Sequence, residues 1–126
     1  MRAVDTNVLV RLITRDHARQ AASAEAFVAK GAWVPLLALA EASWVLTTLY
    51  GRSAADMVTA VEMLLEHQDL ALQDADVVAA ALDLFRSRPA LGFSDCLMLH
   101  MARKAGHLPL GTFDRALGKV EGTQKL

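Results

Sequence analysis

Four acidic residues stand where apolar sequence would otherwise run unbroken: Asp5 in Ala-Val-Asp-Thr-Asn, Glu41 in Leu-Ala-Glu-Ala-Ser-Trp, Asp95 in Phe-Ser-Asp-Cys-Leu and Asp114 in Gly-Thr-Phe-Asp-Arg. Keeping a carboxylate ionised at the edge of a hydrophobic segment is costly unless something cationic answers it. A cluster of oxygen ligands suits a hard divalent ion such as Mg2+ or Mn2+. The chemistry such a cluster supports is phosphodiester hydrolysis. A divalent ion held by carboxylates with open positions lowers the pKa of bound water, aligns that water with phosphorus and neutralises charge on the leaving oxygen. No His or Lys base is required. Without metal the same carboxylates repel, so the cluster is expected to hold extra protons and to release them when metal binds.

Separations of 36, 54 and 19 residues between successive acids rule out a local metal loop, so the fold has to gather them. Each acid also has a simpler reading. Asp5 and Asp114 are suited to N-cap the helices that follow them, and Asp95 to complement a helix dipole in a first turn. Glu41 is harder to explain that way. It lies between alanines on a helical face with Trp44, Val45 and Thr48, and a buried Glu without a partner is rare. The remaining acids, Asp16, Glu25, Asp56, Glu62, Glu66, Asp69, Asp74 and Asp76 among them, fall at caps or polar faces and read as solvated.

The elements that would position the four acids follow from periodicity. Residues 2–5 form a short strand ending at Asp5, and Val8, Leu9, Leu12 and Ile13 recur at helical spacing after it. A second helix begins at Asp16 and stops at Lys30-Gly31. Ala32 to Pro35 is a second strand, followed by a helix from about Leu37 to Tyr50. Ser53 N-caps the next helix, which runs to Glu66, and Asp69 to Leu72 reads as a third strand. Asp74 or Asp76 opens a helix ended by Pro89, and Ser94 caps another that Gly106 stops. Leu108 to Gly111 is a fourth strand and Lys119 to Glu121 a fifth. Strands alternating with helices imply a parallel sheet covered on both faces, where sites form beyond the carboxyl ends of the strands.

Composition fits one such domain over residues 1–126. A hydrophobic fraction of 54% excludes disorder and calls for a large core or an apolar interface. No apolar run reaches the roughly 18 residues that span a bilayer, and Met1 to Asp5 lacks the apolar stretch of a signal peptide, so a soluble cytoplasmic protein with no membrane partner is expected. The single Cys96 precludes an internal disulfide and reads as a small buried hydrophobe. With 13 Lys and Arg against 14 Asp and Glu there is no global attraction to nucleic acid, although Arg11, Arg15 and Arg115 are candidates for a local basic rim that holds RNA. The histidines His17, His67, His100 and His107 form no ligand spacing and are expected at the surface or at helix ends. Trp33 and Trp44 read as core or interface residues.

Taken in order, Val4-Asp5-Thr6-Asn7-Val8-Leu9-Val10-Arg11, then Val34-Pro35 and Leu39-Ala40-Glu41 before Trp44-Val45-Leu46, then Phe93-Ser94-Asp95, then Thr112-Phe113-Asp114-Arg115, the chain resembles a PIN domain of the VapC type. That family comprises the ribonuclease toxins of type II toxin-antitoxin pairs. The resemblance implies a PIN-like α/β/α sandwich with a central, mostly parallel sheet of four to five short strands flanked by helices. It implies a Mg2+ or Mn2+ site of Asp5, Glu41, Asp95 and Asp114, with Thr6, Asn7, Ser94 and Thr112 as supporting polar neighbours. The family often carries Asp or Asn where Ser94 stands. It further implies RNA cleavage leaving a 5'-phosphate and a 3'-hydroxyl, a homodimer, and a small antitoxin that blocks the acidic site. The main alternative is a PIN-fold regulatory or RNA-binding module without turnover. A receiver-like phosphoacceptor would want an acidic pair after the first strand and a Lys near the last, and a haloacid-dehalogenase-type phosphatase would want Asp where Asn7 stands.

Overall fold

A computed structural model describes residues 1–126, which divide into two compact units, Met1–Ala75 and Asp76–Leu126. The fold is helix-rich α/β with parallel strands and six α-helices, as expected.

In the first unit β1 (Arg2–Ala3), β2 (Ala32–Val34) and β3 (Leu70–Leu72) form a three-stranded parallel sheet in the order β1-β2-β3. Arg2 pairs with Ala32 and Trp33 with Ala71, and the Val4 amide extends the first ladder by donating to the Trp33 carbonyl at 3.0 Å. Around these strands the chain forms α1 (Thr6–Thr14), α2 (Ala18–Val28), α3 (Leu36–Thr48) and α4 (Ala54–Glu66). Parallel strands cannot be joined by tight turns, so the helices are the crossovers. Ser53 caps α4 as expected, in a capping box with Asp56 that satisfies both ends of the first turn. The fully buried side chains here include Leu9, Val28, Val34, Leu46, Val61 and Leu64.

The second helix starts at Ala18, not Asp16, with His17 as its N-cap. The reason is that Asp16 is already taken: its carboxylate accepts from Arg11 at 3.0 Å, from the Thr14 hydroxyl at 2.8 Å and from the Tyr50 hydroxyl at 2.9 Å. Tyr50 is therefore a fixed bridge between two helix ends. The Thr14 hydroxyl first, then the Tyr50 hydroxyl, holds the Asp16 carboxyl below the usual range.

In the second unit α5 (Ala75–Ser87, opening at the boundary) leads to α6 (Phe93–Ala105), then β4 (Leu110–Thr112), a 3-10 turn at Leu117–Lys119 and β5 (Thr123–Lys125). β4 and β5 pair in parallel, Leu110 with Thr123 and Thr112 with Lys125. The five strands are thus hydrogen-bonded as a set of three and a set of two. The fifth strand lies at Thr123–Lys125 and not at 119–121. The Ala116 carbonyl accepts from Lys119 at 3.3 Å and the Leu117 carbonyl from Val120 at 3.0 Å, which winds that stretch into a 3-10 turn. The Thr123 hydroxyl locks the turn by donating to the Leu117 and Val120 carbonyls.

Ser94 does not cap α6. Gly92 is the N-cap and Phe93 the first helical residue, with the Asp95 and Cys96 amides both donating to the Gly92 carbonyl. Burial of Phe93, which meets Phe85 edge-on at 5.8 Å between ring centroids, moves the start two residues earlier than a Ser94 cap would place it. Gly106 closes α6 at φ +81, a left-handed conformation that glycine adopts without strain. Cys96 is buried, and burial first, with the Asp95 charge second, pushes its thiol up to about 11, so it is an unreactive apolar filler as expected. No helix is long and apolar enough to cross a membrane.

Candidate active site

Asp5 follows β1 directly and is the N-cap of α1. The Val8 amide donates to Asp5 Oδ1 at 3.1 Å, which leaves Oδ2 outside the cap. The next residue, Thr6, donates its hydroxyl to Glu41 Oε2 at 2.8 Å. One hydrogen bond therefore ties the middle of α3 to the first turn of α1 and brings Glu41 to the same helix end as Asp5. Glu41 sits in the second turn of α3 and is exposed. The expectation of a buried Glu41 fails because the face it shares with Leu37 and Trp44 is not covered: those side chains are 69% and 60% exposed. Its singularity lies in the Thr6 bond and not in desolvation. Asn7, one residue further, is also exposed.

In the second unit Asp95 occupies the first turn of α6 and is half-buried. Burial first, and the negative charge of Asp114 second, raise its carboxyl above the ordinary value. Both effects disfavour the ionised form of Asp95. Asp114 follows β4. Its Oδ1 accepts from the Leu117 amide at 2.8 Å, and its own amide donates to the Thr112 hydroxyl at 3.0 Å. Thr112 thus positions Asp114 through the backbone. Ser94 is half-buried in the first turn of α6.

The capping reading is realised for Asp5 but not for Asp114, which accepts from the Leu117 amide across the turn before the 3-10 segment, whose N-cap is Ala116; each of the two acids uses one carboxylate oxygen in its backbone bond. A carboxylate with one oxygen fixed by a backbone N–H and the other outside that bond is pre-oriented as a ligand. No group of three or more His, Cys, Asp or Glu side chains is placed closely enough to hold a metal ion. Asp5 and Glu41 belong to the first unit, Asp95 and Asp114 to the second. All four side chains offer hard oxygen, the donor type that suits Mg2+ or Mn2+. The histidines agree with this, since His17 caps α2 and His67 ends α4 with its Nδ1 accepting from the Asp69 amide at 3.1 Å.

Of the three arginines expected on a basic rim, two are engaged. Arg11 donates to Gln20 at 2.6 Å, Asp16 and Tyr50, and Arg15 pairs with Glu25. Arg115 is exposed. The Arg11, Asp16 and Tyr50 network escaped the sequence because its members are up to 39 residues apart and obey no period.

Gly92 packs beside the Asp95 carboxylate. A Cβ at this position would lie 3.5 Å from Asp95 Oδ2, an ordinary contact distance, and the backbone there is not left-handed. Gly92→Ala is therefore expected to fold normally, to strip water from the carboxylate and to raise the Asp95 carboxyl further; a carboxyl-carbon NMR titration checks the direction.

The sequence profile of the PIN domain family matches residues 2–122, a span that takes in all four acids. The chain belongs to the PIN domain family. PIN domains are generally nucleases, hydrolases that act on nucleic acid and typically use divalent metal ions. No curated protein and no solved structure matches the chain.

Proposed function

We propose that this chain is a metal-dependent endoribonuclease, the toxin of a VapC-type toxin-antitoxin pair, built as one PIN domain over residues 1–126 and acting through Asp5, Glu41, Asp95 and Asp114. The observation that carries the reading is the family match, which runs across both units and through every one of the four acids. The elevated Asp95 carboxyl facing Asp114 adds to it, because retaining such a pair is costly unless a cation offsets it.

When bound, Mg2+ or Mn2+ supplies charge neutralisation at the phosphate and an activated water. The protein's own residues prepare that site. Asp5 and Asp114 hold one oxygen each by backbone amides, Thr6 fixes the rotamer of Glu41, and a bound cation would favour the ionised form of Asp95 that burial and Asp114 disfavour. Arg115 is the best placed of the three arginines for a phosphate, since Arg11 and Arg15 already hold Asp16 and Glu25. The test is cleavage of single-stranded RNA with Mg2+ or Mn2+, with product ends identified as 5'-phosphate and 3'-hydroxyl. An RNA that binds but is never cut would assign the chain to the regulatory, non-catalytic alternative.

The same reading implies a homodimer in the cytoplasm and an antitoxin that blocks the acids, for which an inserted Arg is chemically suited because it pairs bidentately with carboxylates. Leu37 and Trp44 on α3 and Leu49 at its C-cap leave apolar surface exposed in the first unit, and Met98 and Met101 on α6 do so in the second. Light scattering at micromolar concentration is expected to give twice the 13.6 kDa chain mass, and a monomer at that concentration counts against the dimer.

A further inference from the structure

The cavity between α1 and α2 is separate from the carboxylates but begins two residues after Asp5. It has a volume of about 440 Å3 and is lined by Asn7, Val8, Arg11, Gln20, Ser23 and Phe27, among others. That volume lies inside the roughly 300–1,000 Å3 range of small-molecule sites. Its lining is apolar at Val8, Ala24 and Phe27 and polar at Asn7, Arg11, Gln20 and Ser23. Arg11 Nε donates to Gln20 Oε1 at 2.6 Å, which fixes the Gln20 amide with its carbonyl spent and its NH2 as the remaining polar end. The Asn7 amide and the Ser23 hydroxyl are exposed, and the pair offers both donor and acceptor capacity. Cationic character is built in. The Arg2 guanidinium lies 3.8 Å from the Phe27 ring centroid and donates to the Phe27 carbonyl, while Arg11 forms part of the wall.

An apolar lining with an aromatic ring, donors and acceptors, and the Arg2 guanidinium beside the ring is complementary to a nucleotide: a flat heteroaromatic base with a polar edge, carrying an anionic phosphate. We propose that this cavity is a nucleobase subsite that receives the nucleotide next to the phosphate held at Asp5, so that it sets base preference around the cut. The inference rests on the nuclease reading for its placement, though the binding step does not depend on turnover.

The experiment titrates 15N-labelled, metal-free protein in EDTA with AMP and, in parallel, with ribose 5-phosphate, which has the same sugar and phosphate without the base. AMP is expected to give saturable shifts at the Gln20 and Ser23 amides and the Phe27 ring, and ribose 5-phosphate to bind at least about tenfold more weakly. Gln20→Met removes the NH2 donors at similar volume, and Ser23→Met fills the mouth; both side chains are exposed, so both variants are expected to fold. Each is expected to weaken AMP at least about fivefold, as the loss of one hydrogen bond of roughly 1 kcal/mol implies. Equal shifts with AMP and ribose 5-phosphate would mean that the Arg2 guanidinium binds any anion, and the base subsite is overturned. The same holds if AMP produces no saturable shift on α1 and α2. A second arm maps cleavage positions on a randomised RNA. Gln20→Met is expected to relax the base preference beside the cut, and an unchanged preference alongside an unaffected AMP affinity overturns the subsite while leaving the nuclease intact. A wild-type protein that cuts no RNA removes the nuclease reading, and the nucleotide arm still decides the cavity.

Discussion

Asp95→Asn is expected to abolish RNA cleavage and to raise the melting temperature of the metal-free protein. The two effects share a cause. Asp95 is held half-buried in the first turn of α6 with Asp114 near enough to be felt, so its ionised form is disfavoured in the folded state. Asn keeps the shape, removes the charge, and relieves both the desolvation and the repulsion. On the proposed nuclease reading it also removes a metal ligand, and with it charge stabilisation. Loss of the several kcal/mol that such stabilisation contributes corresponds to a fall of at least about a hundredfold in the rate. Circular dichroism melts in EDTA and single-turnover cleavage in Mn2+ read the two effects separately. Unimpaired cleavage by Asp95→Asn would sink the site assignment. A collapse in stability would show that the carboxylate is a structural element instead. Asp5 needs the same distinction in a different form. Because it caps α1, Asp5→Asn is the informative variant, since Asn caps as well as Asp, whereas Asp5→Ala would add a capping loss of about 0.5–2 kcal/mol to any effect on catalysis.

Mn2+ is expected to stabilise the protein by about 2.7 kcal/mol at a hundred times its dissociation constant, with an affinity that rises with pH. The sign follows from Asp95. Its carboxyl lies above the ordinary 3.8, so the folded metal-free protein binds more protons than the unfolded chain in the window between that value and the raised one. Stability contributed at this residue therefore falls as pH rises through the window, and below 3.8 no penalty is present. Metal requires the ionised form and has to displace the proton within the window; above it the displacement is free. Asp16 and Asp76 slope the other way. The Thr14 hydroxyl for the first and the Lys104 ammonium for the second lower their carboxyls, and the stabilisation they give is lost as pH falls through those lowered values. The difference between wild type and Asp95→Asn isolates the site from that background. Calorimetric titration of Mn2+ in two buffers of unlike ionisation enthalpy is expected to show proton release in the wild type at the acid end of the window and less in Asp95→Asn. Equal proton release by both would place the titrating group elsewhere.

Much of this protein was legible in one dimension. The alternation of short apolar strands with helical patterns set the α/β class and the parallel pairing, because a helix between two strands leaves no other geometry within reach. Ser53 before a periodic helix and Gly106 after one marked their ends, since capping is decided by residues within one turn. The four acids were visible because each breaks apolar sequence, and Cys96 because a lone cysteine among hydrophobic residues has nothing to pair with. What the sequence could not determine was whatever depends on groups far apart along the chain. It did not reveal that Asp16 is consumed by Arg11, Thr14 and Tyr50, which moved the start of α2 to Ala18. It did not reveal that the stretch after Asp114 winds into a 3-10 turn and displaces the last strand to Thr123–Lys125. Helical periodicity placed Glu41 on a face with Trp44, but periodicity records which residues share a face and not whether anything covers it. Only the tertiary structure exposed that face and handed Glu41 to Thr6. The cavity between α1 and α2 belongs to the same class: Asn7, Gln20 and Phe27 form a wall only because two helices pack side by side, and empty space between side chains leaves no mark on the order in which they are strung.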